Sequence, residues 1–241
     1  MKIESGRTGI VFGVFALSFL VYILAGYNYF LNSQQKTLIK LVTPVIVYQI
    51  YLRVDDVSLR RVVYGFFSVS LGFFFAWVLR GVPGVLPIDM DSVMGWGISK
   101  FVEVAPICLC VYVLGMHNGD SFDSLGLRGG AVGRSLVYGL LASVLGLVQY
   151  FAQVGFSFGF TFPQLVVLVP WLLLFSVSNA FMEELIFRGL FLEKYSRLVG
   201  DKWALLLVSF IFAIFHVVLL PFMGLSMMLG FTCFLFIQGY V

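Results

Sequence analysis

Charge is scarce in this sequence. Only 11% of its 241 residues are Asp, Glu, Lys or Arg, against 61% hydrophobic residues, and the mean hydropathy is +1.02. Soluble domains carry roughly a quarter charged residues, so a soluble fold is excluded. Cysteine is scarcer still, at three residues. Cys108, Cys110 and Cys233 all fall in apolar stretches, which leaves no disulfide framework or zinc knuckle and makes them small core residues. The two histidines, His117 and His216, are far apart, so no His-Glu-x-x-His zinc helix can form. Alternating segments of the kind a membrane β-barrel requires are missing. So are low-complexity tracts and repeats of about 20–50 residues. The formal charge of +3 gives no case for a nucleic-acid partner.

Long apolar runs are what the sequence has instead. Stretches able to cross roughly 30 Å of hydrocarbon lie near residues 9–31, 38–52, 62–80, 98–116, 135–156, 165–192, 203–220 and 225–241. The expected fold is all-α: a polytopic membrane protein of about eight transmembrane helices around a buried polar site. The first run, after Lys2 and Arg7, has no small-residue cleavage site before Asn32 and is expected to stay as an anchor. Lys2, Arg7, Arg53, Arg60, Arg61, Arg128, Arg134, Lys194, Arg197 and Lys202 fall on one side of this topology, against Lys36, Lys40, Arg80 and Lys100 on the other. The bias places both termini in the cytoplasm, with the plasma membrane as the default location. Two longer connections are expected, over Gly81–Ser99 and His117–Arg134, and Glu103 is expected to pair with Lys100 at a helix end. Gln149 and Gln153 read as an interhelical hydrogen-bonding pair.

Against this background the sixth run is anomalous, because Ser176, Asn179, Glu183, Glu184 and Arg188 interrupt it. Charges at that depth cost several kcal/mol by most estimates, so they face protein or water and mark function. Glu184 and Arg188, four apart, share a helix face and can neutralise each other. Glu183 is left over, in line with Asn179 and Ser176 at intervals of four and three. Desolvation favours the neutral form of such a carboxyl, which is the setting for a general acid or base near neutral pH. The turn to the next helix is expected at Gly200. Glu184 lies 16 residues before that glycine and His216 lies 16 after it, each roughly 24 Å away along an α-helix. Antiparallel packing would bring them to one depth.

Two patterns emerge, Glu183-Glu184-x-x-x-Arg188 and Phe212-x-x-x-His216. Together they resemble the first and second motifs of the CAAX-processing and bacteriocin-processing intramembrane endopeptidases, the CPBP or Abi family; Leu125-Gly126-Leu127-Arg128 is similar to a segment before the core. The resemblance divides the chain into undiagnostic N-terminal helices, residues 1–118, and a family-like core, residues 119–241. It implies hydrolysis of a peptide bond in a membrane-associated peptide or protein, a prenylated tail among the candidates. Glu183 would be the general base and His216 would orient the water, with Glu184, Arg188, Asn179 and Phe212 in support. The family's third motif, His-x-x-x-Asn or His-x-x-x-Asp, would supply the oxyanion donors. It does not occur within residues 217–241, so either the natural chain continues or this member has lost part of its site. Some members are described as metalloproteases. A zinc ion would have only Glu183, Glu184 and His216 to bind it, short of the usual three free ligands because Glu184 serves Arg188; a metal-free site is preferred. The competing readings are a non-catalytic relative working as a scaffold or partner subunit, and a proton-coupled transporter.

Overall fold

The computed structural model describes residues 9, 13–26, 32–125, 127 and 162–218. These residues are helical apart from turns and connections, and no strand occurs among them. A helix over residues 13–18 runs into the π-helical segment α1, Phe19–Gly26. It is followed by α2 (Ser33–Arg53), α3 (Val57–Leu79) and α4 (Val93–His117). From residue 162 onward, α5 (Phe162–Glu183) passes without a break into a second π segment, Glu184–Leu192, and then α6 (Glu193–Val199). Gly200 separates these from α7, Asp201–Val218.

Side-chain caps decide where the helices begin. The apolar runs starting at residues 38, 62 and 98 belong to helices that start five residues earlier, at Ser33, Val57 and Val93. In each case the residue before the helix accepts a hydrogen bond from an amide of the first turn: Asn32 Oδ1 from Gln35 at 2.9 Å, Asp56 Oδ1 from Leu59 at 2.7 Å, and Ser92 Oγ from Gly95 at 3.0 Å. Such caps satisfy amides that the helix itself leaves without partners. The expected connection Gly81–Ser99 is therefore shorter than its composition suggested, and the 3₁₀ turn Pro83–Val85 sits inside it. His117 likewise closes α4 and is not the loop residue expected.

Three stretches are long and apolar enough to cross a membrane: Val57–Val85, Val93–His117 and Val166–Val199. They correspond to the third, fourth and sixth expected spans, and the chain is an integral membrane protein. The second run forms α2 but is not among these stretches. The first lies over the shorter apolar helix Gly13–Tyr22. The fifth and eighth fall outside the described residues, as do Cys233, Gln149 and Gln153.

Small residues bring the helices together. A β-carbon on Gly72 of α3 would lie 2.7 Å from the Ile107 Cα of α4, and one on Gly97 of α4 would lie 2.8 Å from the Trp171 carbonyl oxygen of α5. Lipid gives no hydrophobic drive between helices, so packing of this close kind holds a membrane bundle together. The centre is aromatic. Tyr22 of α1 meets Phe66 and Phe73 of α3 and Phe187 and Phe191 of the second π segment, with ring centroids 5.4–6.5 Å apart. Leu38, Leu109, Val113 and Val177 are exposed, as lipid-facing residues are.

Candidate active site

Glu183 ends α5 and Glu184 begins the π segment, so the two carboxylates straddle a change of helix type. In a π-helix the amide bonds to the carbonyl five residues back, and the widened turn recurs at functional positions. Six of the nine residues here are buried: Leu185, Ile186, Phe187, Gly189, Leu190 and Phe191. The widened turn serves two neighbours at once. Leu190 and Phe191 press on Gly65 of α3, while Gly189 meets the Leu125 carbonyl. Nothing in Glu-Leu-Ile-Phe-Arg-Gly-Leu-Phe-Leu announces this geometry, because these are ordinary helix formers. The lone glycine is the nearest thing to a signal.

The carboxylates go to different partners. Asn179 Nδ2 donates to Glu183 Oε1 at 2.7 Å, which places the two on one face as their spacing required. Glu184 forms an ion pair with Arg188 in the other direction along the helix. Both ends of that pair are well exposed, 56% for Glu184 and 40% for Arg188, so it contributes little to stability. Glu183, half-buried, is thus hydrogen-bonded to a carboxamide rather than left over.

The turn at Gly200 is present, with φ of 84°, a left-handed conformation that glycine adopts without steric cost. Across it Phe187 and Phe212 meet edge to face, with centroids 5.2 Å apart. These residues lie 13 before and 12 after Gly200, so the contact fixes the register of the hairpin. Glu183 is four residues farther from the turn than Phe187, and His216 is four farther than Phe212. The His216 backbone lies within α7; its side chain is outside the described residues, as are Gly126 and Arg128.

A feature absent from the sequence reading clamps this region. Lys194 of α6 donates to both oxygens of Asp120, at 2.8 and 2.7 Å, across 74 residues of chain. The side chains are 5% and 11% exposed, so this is a buried pair. With Leu125 against Gly189, it seats the turn after α4 on the motif-bearing helix. A cavity of about 620 Å³ lies alongside, lined by Arg61, Asp120, Asp123, Arg188, Glu193 and Arg197 among others. No three His, Cys, Asp or Glu side chains gather among the described residues.

A model of the protein family described as Rce1-like, "Type II CAAX prenyl endopeptidase Rce1-like", matches residues 165–241. The match takes in both motifs and supports the CAAX-processing resemblance for this part of the chain. No curated protein and no solved structure matches the chain.

Proposed function

We propose that the protein is an intramembrane endopeptidase that hydrolyses a peptide bond in a membrane-associated protein, with Glu183 as general base and His216 as its partner in holding the water. The observation that carries this reading is the division of labour between adjacent carboxylates. Glu184 pairs with Arg188, whereas Glu183 accepts from the carboxamide of Asn179, which orients it as a general base has to be oriented. The hairpin register set by Phe187 and Phe212 supports bringing His216 to the level of Glu183. The family match over residues 165–241 supports the substrate class, and a prenylated C-terminal tail is the form of it we favour. The bias of Lys and Arg supports a cytoplasmic opening on the side of Arg61 and Arg197.

In this mechanism Glu183 accepts a proton from water as its oxygen attacks the scissile carbonyl. The same proton then serves the departing amine. Phe212, packed edge to face on Phe187, holds the hairpin that presents the pair, and Arg188 neutralises Glu184 beside Glu183. A zinc site does not suit the donors described. Successive residues of a helix diverge by about 100°, and the two carboxylates reach in opposite directions, to Asn179 and to Arg188, rather than converging as zinc ligands do.

The test is cleavage of a membrane-anchored reporter peptide bearing a prenylated tail by the full chain in proteoliposomes. Glu183→Gln should lower kcat by about 10²–10⁴, and His216→Ala should do likewise. Undiminished cleavage by Glu183→Gln would overturn the assignment.

A further inference from the structure

The second large cavity lies at the far end of the bundle. Its volume is about 700 Å³, and it is walled by the start of α2, the end of α3 and the start of α4, with Phe175 of α5. Arg61, in the first cavity, and Arg80, in this one, are 19 residues apart along α3, roughly 28 Å of helix. That is close to the hydrocarbon thickness of a bilayer, so the two cavities open at opposite membrane faces.

Its charge is one-sided. Lys36, Lys40, Arg80 and Lys100 all line it, against the single carboxylate of Glu103. These four are every basic residue that the topology assigns to this face. Cations on the outer face run against the usual bias of membrane proteins, yet here they converge on one space. Glu103 answers Lys100, at 3.2 Å. Lys36 and Arg80 make no ion pair among the described residues, and Lys40 lies within electrostatic reach of Glu103 as well as of Arg80 and Lys36. Apolar walls focus the field of such a cluster. They include Phe73, Trp77 and Trp96; Trp96 is exposed, and exposed tryptophan sits at headgroup level in a bilayer.

We propose that this cavity binds a phosphate group at the membrane surface, held by Lys36, Lys40 and Arg80 between the tryptophans. Arg80 presents the planar fork that suits phosphate oxygens, and the lysines add point charges around it. The proposal is independent of the peptidase reading, since no residue of the Glu183 region takes part. A phospholipid headgroup and free phosphate share the required chemistry.

Intrinsic tryptophan fluorescence and thermal unfolding of the full chain, titrated with two probes, test this. One probe is inorganic phosphate; the other is phosphatidylglycerol in dodecyl maltoside micelles, with phosphatidylcholine as the neutral comparison. Saturable binding of either probe is expected, phosphate alone identifying a free anion and phosphatidylglycerol alone a lipid. Arg80→Gln and Lys36→Gln should each weaken it about tenfold, while Arg61→Gln at the opposite end should leave it unchanged. Both substituted residues lie near helix ends, and each variant's unfolding midpoint without probe checks its fold. The proposal is overturned if neither probe saturates, if both variants bind as the parent does, or if Arg61→Gln weakens binding equally.

Discussion

The carboxamide of Asn179 donates to Glu183 at 2.7 Å, one helical turn away, and so fixes the rotamer of the carboxylate proposed to activate water. A hydrogen bond to a charged group contributes about 1.5–3 kcal/mol. Asn179→Ala should accordingly lower kcat for reporter cleavage by about 10- to 100-fold, with KM little changed, because Asn179 acts through Glu183. A rise in KM with unaltered kcat would show instead that Asn179 contacts substrate.

Gly189 is predicted to tolerate no side chain. A β-carbon there would be driven into the Leu125 carbonyl, and the obstacle is backbone rather than the end of a flexible side chain. Overpacking of this kind costs about 1–3 kcal/mol. Gly189→Ala should lower the unfolding midpoint in detergent and increase proteolysis between residues 118 and 125. A midpoint equal to that of the parent would mean that the turn is not seated on the helix.

The Asp120–Lys194 pair should behave as a buried one. Removing one partner strands a charge and costs about 3–5 kcal/mol. Asp120→Leu and Lys194→Met should each destabilise strongly, while the double variant recovers most of the loss. The comparison is a thermal-unfolding cycle of the four proteins. Additive losses would contradict the close contact.

Phe187 and Phe212 should couple by about 0.5–1.5 kcal/mol beyond their burial. The measurement is again a double-mutant cycle, with Leu replacing each ring. Because the contact sets hairpin register, the double variant should also lose peptidase activity out of proportion to its stability. Activity that simply follows the folded fraction would deny that role.

Much of the site was legible in the chain because helical periodicity is local. Intervals of four residues placed Asn179 with Glu183 and Glu184 with Arg188, and both pairs form. The glycine at 200, between a basic end and an Asp-Lys start, marked the turn for the same reason. Helix starts were displaced by five residues, since hydropathy marks where lipid begins while Asn32, Asp56 and Ser92 mark where backbone amides first need partners.

What the sequence determined by itself is thus the membrane environment, the helical class and the spacing of the motif residues, all consequences of composition and of a fixed rise per residue. Only the tertiary structure decided the rest. The π segment meets Gly65 on one side and Leu125 on the other, neighbours that its own residues do not announce. The buried Asp120–Lys194 pair joins residues 74 apart, and the four cations of the far cavity come from α2, from α4 and from the residue that caps α3. Such groupings depend on which helices neighbour one another, and that is set by close packing at positions such as Gly72 and Gly97, which no local spacing encodes.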